Sequence, residues 1–75
     1  DNIQKKILPA EKSINLNTAK LEELVNLPGI GTKTAQKIIE YREQHKRFRN
    51  INELLKVKGI GDSKFAKIKE YIFID

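Results

Sequence analysis

Apolar side chains recur every three or four residues in several separate segments of this 75-residue chain, which is the spacing of amphipathic helices. Polar positions such as Lys33, Lys37, Glu40 and Gln44 fall on the opposite side of the helical pattern. The pattern predicts four short helices whose inward faces carry Leu21, Leu24, Val25, Leu27; Ala35, Ile38, Ile39, Arg42; Ile51, Leu54, Leu55, Val57; and Phe65, Ile68, Ile72.

Capping and turn residues predict where these helices begin and end. Side chains with a short polar arm favour the N-cap position, whereas Pro and Gly favour a stop. The second helix is expected to run to about Lys46. The candidate N-caps are Asn17 or Thr18, Thr32, Asn50 and Asp62, and the candidate stops are Pro28-Gly29 and Lys58-Gly59.

Two short segments near the ends alternate instead of following the helical period. Ile14 and Leu16 alternate with polar residues in "SINLN", and "IFID" alternates at the other end. Alternation is typical of extended chain, so these segments can pair as a two-stranded tie between the ends. The predicted fold is therefore all-α, with four to five short helices and a tiny strand pairing at the termini.

The chain contains an internal repeat of thirty residues. "LPGIGTKTAQKII" begins at Leu27 and "VKGIGDSKFAKIK" begins at Val57, and 8 of the 19 positions from 24 to 42 are identical in the second copy. A repeat of this kind indicates the architecture directly. Each copy is predicted to be helix, glycine turn, helix, and the two copies are expected to close one core about a pseudo-two-fold axis.

The length allows one domain, which buries only about 60% of its unfolded surface. We expect residues 1–12 to be a linker or N-terminal tail, and residues 13–75 to be the domain, with hairpin 1 at about 18–46 and hairpin 2 at about 50–72. No Cys is present, which excludes disulfides and thiolate metal sites. No segment has the length and apolarity of a membrane span. Asp1 is interpreted as a processed or artificial start, and what preceded it is left open.

The net charge of +5 is unevenly distributed. Residues 33–69 contain 11 Lys/Arg against 4 Asp/Glu, while the rest of the chain contains 4 against 6. A basic surface favours a polyanion such as nucleic acid. The alternative is that surface lysines only keep a small domain in solution.

The glycine turn has a composition suited to binding phosphate. Glycine lets another molecule approach the backbone, and the turn leads into a helix start, where amide N–H groups lack intrahelical partners. Lys33 and Lys37 lie one turn apart after the first glycine pair, and Lys64 and Lys67 are expected to play the matching part after the second. Ile30 and Ile60 are expected to point inward. Asp62 stands where the first copy has Thr32, so hairpin 1 is expected to bind more strongly.

Several longer phrases carry a resemblance to a known family. "NTA-x-LEEL", "YRE" and "F-x-N-I-x-ELL-x-VKGIG" are far more specific than the glycine turn alone. Residues 13–74 resemble the tandem helix-hairpin-helix domain (a SAM-like fold) at the C-terminus of ComEA-like competence DNA receptors. The resemblance implies sequence-independent binding of double-stranded DNA from the minor-groove side, in uptake of transforming DNA outside the cytoplasmic membrane.

The same resemblance implies a set of DNA-binding residues in each hairpin. Such hairpins can also hold a monovalent cation on turn carbonyls, and no other cofactor or metal is expected. The implied residues are Gly29, Ile30, Gly31, Thr32, Lys33, Thr34 and Lys37 in hairpin 1, and Gly59, Ile60, Gly61, Asp62, Ser63, Lys64 and Lys67 in hairpin 2.

The basic connection "HKRFRN" joins the two copies. Lys46, Arg47 and Arg49 are interpreted as a rim contact for DNA, with a solvated connection as the alternative, and Phe48 is expected to be buried. Tyr41 and Tyr71 occupy equivalent positions and are interpreted as packing residues rather than stacking platforms for bases.

An enzyme is not expected, although the glycine turn also resembles that of DNA glycosylases. Such an enzyme needs a pocket for an extruded base and a catalytic carboxylate. The segment about twenty residues past the first turn offers Asn50 and Asn52, with Glu53 placed as a helix acid. His45 is the single histidine and supports neither a metal site nor a catalytic triad by itself.

Two alternatives to a competence-type receptor stay open. One is a DNA-binding module of a repair or recombination protein, and the other is a helical module that docks proteins. The expected partner is double-stranded DNA, with competence-machinery proteins as further candidates and no membrane contact by this fragment. An extracytoplasmic location is implied by the resemblance, a cytoplasmic one is the alternative, and the oligomeric state is left open.

Overall fold

The computed structural model describes residues 8–75 as a mostly helical domain with two strands of two residues each. Two of the α-helices and a 3₁₀ helix fall within the predicted helical segments, while the first helix is shorter than predicted. The elements in chain order are β1 (Ile14–Asn15), α1 (Leu21–Leu24), α2 (Thr32–His45), a first 3₁₀ helix (Ile51–Lys56), α3 (Asp62–Ile68), a second 3₁₀ helix (Lys69–Tyr71) and β2 (Ile72–Phe73).

The two strands tie the ends of the described chain together. β1 and β2 pair in parallel, with Ile14 opposite Ile72 and Asn15 opposite Phe73. The backbone contact extends beyond the strands, because the N–H of Leu16 donates to the Phe73 carbonyl at 2.9 Å and that of Lys12 donates to the Glu70 carbonyl at 2.9 Å. The predicted all-α fold with a tiny terminal pairing is confirmed.

Both copies of the repeat contribute equivalent side chains to one core. The offset of thirty residues relates Leu24 to Leu54 and Ile38 to Ile68, and all four side chains have no exposed surface. Burial of each such side chain stabilises the fold by about 1.5–3 kcal/mol. The buried set is Ile14, Leu16, Ala19, Leu24, Leu27, Ile30, Ala35, Ile38, Phe48, Leu54, Val57, Ile60, Ile68 and Ile72. The prediction of one shared core is confirmed.

Polar side chains fasten the start of the domain and the basic connection at the edge of this core. The Asn17 amide accepts a hydrogen bond from the Phe48 backbone N–H at 2.6 Å and donates one to the Phe48 carbonyl at 3.0 Å. Arg42 was predicted on the apolar stripe of α2, and its guanidinium donates to the carbonyls of Leu16 and Ala19, both at 2.9 Å. These bonds hold the basic connection and the start of the domain against the helices.

The start of the first helix was predicted too early. α1 begins at Leu21 with Lys20 at the N-cap, instead of after Asn17 or Thr18. The Lys20 N–H donates to the Glu23 carboxylate at 2.8 Å, which caps the helix from inside its first turn. Asn17 is unavailable as a cap because its amide is bonded to Phe48.

Leu55 departs from the predicted inward face, with 41% of its surface exposed. The segment that contains it is a 3₁₀ helix with three residues per turn, so Ile51, Leu54 and Val57 fall on one side and Leu55 does not. Asn50 occupies the N-cap position as predicted, although its side chain makes no capping bond.

The boundary between an N-terminal tail and a domain that begins at residue 13 stays a prediction. Residues 1–7 of that tail lie outside the described part of the chain. Leu8 is half exposed, while Ser13 donates its backbone N–H to the Tyr71 carbonyl at 3.1 Å. No helix within residues 8–75 has the length and apolar character needed to cross a membrane.

Candidate nucleic-acid interface

The two glycine turns have the same backbone geometry. Gly29 and Gly59 adopt φ values of 79° and 100°, in the left-handed region that favours glycine. The following Ile30 donates its N–H to the Leu27 carbonyl at 3.1 Å, and Ile60 donates to the Val57 carbonyl at 3.1 Å. The sequence repeat is therefore also a repeat of structure.

The second glycine of each turn is required by nothing within the described chain. Gly31 and Gly61 have φ values of −96° and −103°, which any residue can adopt. A Cβ added at either position would meet no atom within 4 Å. A Cβ would fit both the backbone and the space, so the glycines leave the backbone open to a molecule from outside.

Gly31 and Gly61 are also the N-cap residues of α2 and α3. The carbonyl of Gly31 accepts from the Ala35 N–H and that of Gly61 from the Phe65 N–H, both at 2.9 Å. Neither helix has a capping bond from a side chain. The first amide groups of each helix are thus left for an outside acceptor, because only an N-cap side chain or water could otherwise satisfy them.

Thr32 and Asp62 were predicted as caps, and this was wrong. Each is the first residue inside its helix, because the N-cap positions are taken by Gly31 and Gly61. Asp62 is exposed and interacts favourably with the start of α3 through the helix dipole. Its negative charge lies one residue past Gly61, at the position where hairpin 1 carries a neutral hydroxyl.

The remaining candidate residues divide clearly by burial. Ile30 and Ile60 are buried, as predicted, and support their turns from inside. Thr34 and Lys64 are half-buried. The exposed members of the set are Gly29, Gly31, Thr32, Lys33, Lys37, Gly59, Gly61, Asp62, Ser63 and Lys67.

The half-buried pair makes contacts that cross between the hairpins. A Cβ placed on Gly29 would lie 3.8 Å from Cγ and 3.9 Å from Cε of Lys64. A Cβ on Gly59 would lie 3.4 Å from Oγ1 and 3.8 Å from Cγ2 of Thr34. Lys64 is therefore the equivalent of Thr34 and not of Lys33, which is a correction to the predicted correspondence of the lysines. The thirty-residue offset in the sequence already contained this signal.

The basic connection is partly held by structural contacts. Phe48 is buried as predicted, and the Arg47 guanidinium donates to the Asp75 carbonyl at 2.9 Å. Lys46 ends α2 with a φ of 73°, and its side chain is exposed, as is that of Arg49. Whether these cations touch DNA stays a prediction.

The two equivalent tyrosines are both half-buried. Tyr41 stacks on Phe48 and His45, with ring centroids 5.1 Å and 3.9 Å apart, and its hydroxyl donates to the Glu53 carboxylate at 3.2 Å. Burial raises the pKa of the Tyr41 phenol, with Glu53 adding to the shift. Burial likewise raises the pKa of Tyr71, with Glu70 adding to it. These contacts favour the interpretation of both tyrosines as packing residues.

Within residues 8–75, no group of three His, Cys, Asp or Glu side chains is placed to hold a metal ion. That the turn carbonyls can hold a monovalent cation stays a prediction.

Comparison with known proteins identifies the family. The model of the helix-hairpin-helix motif matches residues 9–73. The chain belongs to the helix-hairpin-helix family.

Individual relatives extend this result. The chain is 48% identical over 61 residues to ComE operon protein 1 of Bacillus subtilis, covering 81% of this chain and 30% of that protein. It is 43% identical over 60 residues to an uncharacterized protein of Haemophilus influenzae, covering 79% of this chain and 54% of that protein. It is 41% identical over 63 residues to endonuclease/exonuclease/phosphatase family domain-containing protein 1 of Xenopus laevis, covering 84% of this chain and 11% of that protein. The predicted resemblance is confirmed, and the chain spans only part of each relative.

Proposed function

We propose that this domain binds double-stranded DNA through its backbone phosphates, without preference for base sequence. Family membership and the basic surface support DNA as the ligand. The observation that carries the mode of binding is the pair of second glycines, Gly31 and Gly61. The fold does not require glycine at these two positions. The lack of a side chain there exposes the helix N-termini, where phosphate oxygens accept hydrogen bonds from amide groups.

The lysines supply the second part of the interaction. Lys33 and Lys37 are exposed beside the first turn and Lys67 is exposed beside the second. Lysines that neutralise phosphates release condensed counterions, and this term carries no sequence information. If about 4–6 phosphates are neutralised, the logarithm of the binding constant falls with the logarithm of salt concentration at a slope of about −4 to −5.

The test is fluorescence anisotropy of the 75-residue chain with several unrelated duplexes across a salt series. Equal affinity for every duplex and a slope near −4 support the proposal. Lys33→Gln should lower affinity by up to about tenfold near 0.1 M salt and reduce the slope by about 1. Lys20→Gln makes the same change of charge at an exposed position outside both turns and is the matched control.

Two results would overturn this function. Equal losses for Lys33→Gln and Lys20→Gln would show that net charge matters and the turns do not. Failure of the unaltered chain to bind any duplex at low salt would remove DNA as the ligand and move protein docking to first place.

We further propose that the DNA-binding module serves uptake of DNA, outside the cytoplasmic membrane. The similarity to ComE operon protein 1 and the resemblance to competence DNA receptors support this role. Deletion of the gene in its host should abolish uptake of labelled duplex DNA while repair of damaged DNA stays normal. Normal uptake with impaired repair would favour a repair or recombination role instead.

We propose no catalytic step for this domain. The relatives that carry endonuclease/exonuclease/phosphatase in their name share only about a tenth of their length with it, in the helix-hairpin-helix region. The isolated chain is expected to leave supercoiled DNA and duplexes with damaged bases unchanged, and turnover of either substrate would contradict this.

A further inference from the structure

The side chain of Lys64 lies on the turn of the opposite hairpin. Its Cγ and Cε atoms are 3.8 Å and 3.9 Å from the position that a Cβ would take on Gly29. The ammonium group is one bond beyond Cε, so it lies beside the turn that leads into α2. Lys64 belongs to α3 of hairpin 2, yet its side chain lies beside the turn of hairpin 1.

The contact is one half of a reciprocal pair. Thr34 of α2 lies on Gly59 of hairpin 2 in the same way, with Oγ1 3.4 Å from the corresponding Cβ position. Each hairpin therefore uses its own second helix to cover the first glycine of the other. The residue at this position, Thr in one copy and Lys in the other, modifies the opposite turn.

This exchange makes the two turns electrostatically unequal. The turn 1 cluster consists of Lys33, Lys37 and the crossing Lys64, which are three cations with no acid among them. The turn 2 cluster consists of Lys58, Asp62, Lys67 and the crossing Thr34, with two cations and one acid and so a net formal charge of +1. If Lys64 instead served its own turn, Lys33 and Lys37 would give turn 1 a charge of +2 and turn 2 would also carry +2.

We propose that Lys64 binds phosphate at the turn of hairpin 1 and makes that turn the primary DNA contact of the domain. The inference rests on the proposed DNA binding and adds a residue from the other repeat to its main site. A half-buried stem held against Gly29 loses little side-chain entropy when the ammonium group binds phosphate. Within residues 8–75, the ammonium group makes no ion pair or hydrogen bond that would compete with a phosphate.

A double-mutant cycle separates the two turns. Gly31→Val and Gly61→Val place a matched side chain over the open backbone of turn 1 or turn 2, and the Cβ of each would meet no atom of residues 8–75 within 4 Å. Lys64→Met removes the charge while keeping an unbranched stem on Gly29, and Lys64→Arg retains the charge. Affinity of the 75-residue chain for duplex DNA is measured by anisotropy for each single and double variant, with circular dichroism as the check of folding.

Lys64→Met is expected to weaken binding about 5–10-fold near 0.1 M salt, with Lys64→Arg close to the unaltered chain. The same loss should persist on the Gly61→Val background. On the Gly31→Val background it should shrink to about twofold or less, because the site that Lys64 serves is already blocked.

The opposite pattern overturns the inference. A loss that persists with Gly31→Val and disappears with Gly61→Val would assign Lys64 to its own hairpin. If Lys64→Met caused no loss of DNA affinity on the Gly31→Val and Gly61→Val backgrounds, or equal losses on both, Lys64 would serve neither turn specifically. In each of these cases the unaltered chain still binds DNA, whereas absence of binding by the unaltered chain is the failure of the proposed function itself.

Discussion

The two hairpins share a backbone and differ in the chemistry that they display on it. Gly29 and Gly59 hold the same left-handed conformation, and Ile30 and Ile60 are buried beneath both turns. Outside the turn, hairpin 1 presents Thr32 and Lys33 where hairpin 2 presents Asp62 and Ser63. The comparison shows that the residues that set the backbone and the core are the same in both hairpins, while the exposed residues beside the turns differ in charge.

The largest expected effect is on stability, and it tests whether the two repeats contribute equally to the core. Leu24→Ala and Leu54→Ala remove equivalent side chains that have no exposed surface. Each is expected to lower the free energy of unfolding by about 2–5 kcal/mol, through lost burial and the cavity left behind. Urea unfolding of both variants checks this, and a difference greater than about 2 kcal/mol between them would contradict a core shared equally by the repeats.

The next effect separates the first and second glycine within each turn. Gly29→Ala and Gly59→Ala force a left-handed backbone on alanine, at a cost of about 1–2 kcal/mol each. Gly59→Ala should be the costlier, because its φ of 100° lies farther from the left-handed minimum, at about 57°, than the 79° of Gly29.

Gly31→Ala and Gly61→Ala provide the matched controls for these two changes. They keep a permitted backbone and should cost about 0.5–1 kcal/mol, as a less favourable N-cap residue. Thermal unfolding of the four variants gives the order. Equal destabilisation by all four would show that backbone conformation does not distinguish the two glycines.

A smaller effect concerns the charge that separates the hairpins. Asp62→Asn removes the acid beside turn 2 and should raise DNA affinity about two- to fivefold at low salt, since a repulsion of phosphate is lost. The same change should lower the free energy of unfolding by about 0.3–1 kcal/mol, because the carboxylate no longer complements the dipole of α3. Thr32→Asp makes the reverse change in hairpin 1 and should weaken binding by more, if turn 1 is the primary contact. Anisotropy and urea unfolding measure both quantities.

The smallest expected effect is a loss of stability at high pH, to which both repeats contribute one tyrosine. The pKa of Tyr41 and that of Tyr71 are both raised, first by burial. The folded chain therefore holds these protons more tightly than the unfolded chain. Their contribution to stability is complete below the unfolded pKa of about 10 and is lost as the pH rises through the folded pKa.

Tyr41→Phe and Tyr71→Phe should each flatten this alkaline loss of stability. Urea unfolding between neutral and alkaline pH compares each variant with the unaltered chain. Curves that stay parallel across the range would show that the phenols do not titrate differently in the folded state.

Much of the fold could be predicted because its signals are local. The helical period, the turn glycines and the alternating ends depend on near neighbours in the chain, and α2 runs from Thr32 to His45, close to the predicted end. One error arose where a distant contact competed with a local preference, and another where the kind of helix differed from the one expected. Asn17 is a good N-cap by type, but its amide is bonded to Phe48, and Leu55 lies outside the core because its segment winds as a 3₁₀ helix.

The candidate site divides in the same way. The turn glycines and the buried isoleucines follow from the repeat in the sequence, and the exposure of Lys33 and Lys37 follows from the helical period. The place of Lys64 does not, because a side chain that crosses to the other repeat is positioned by packing between the two copies.

The sequence by itself determined where the chain turns, which faces are apolar and how the charges are distributed, since these depend on backbone preferences and spacing along the chain. Only the tertiary structure decided the parallel pairing of Ile14 with Ile72 and the bonds from Arg42 to Leu16 and Ala19. It also decided that each hairpin completes the turn of the other. Those contacts join residues far apart in sequence, and they form only when the two hydrophobic faces have packed into one core.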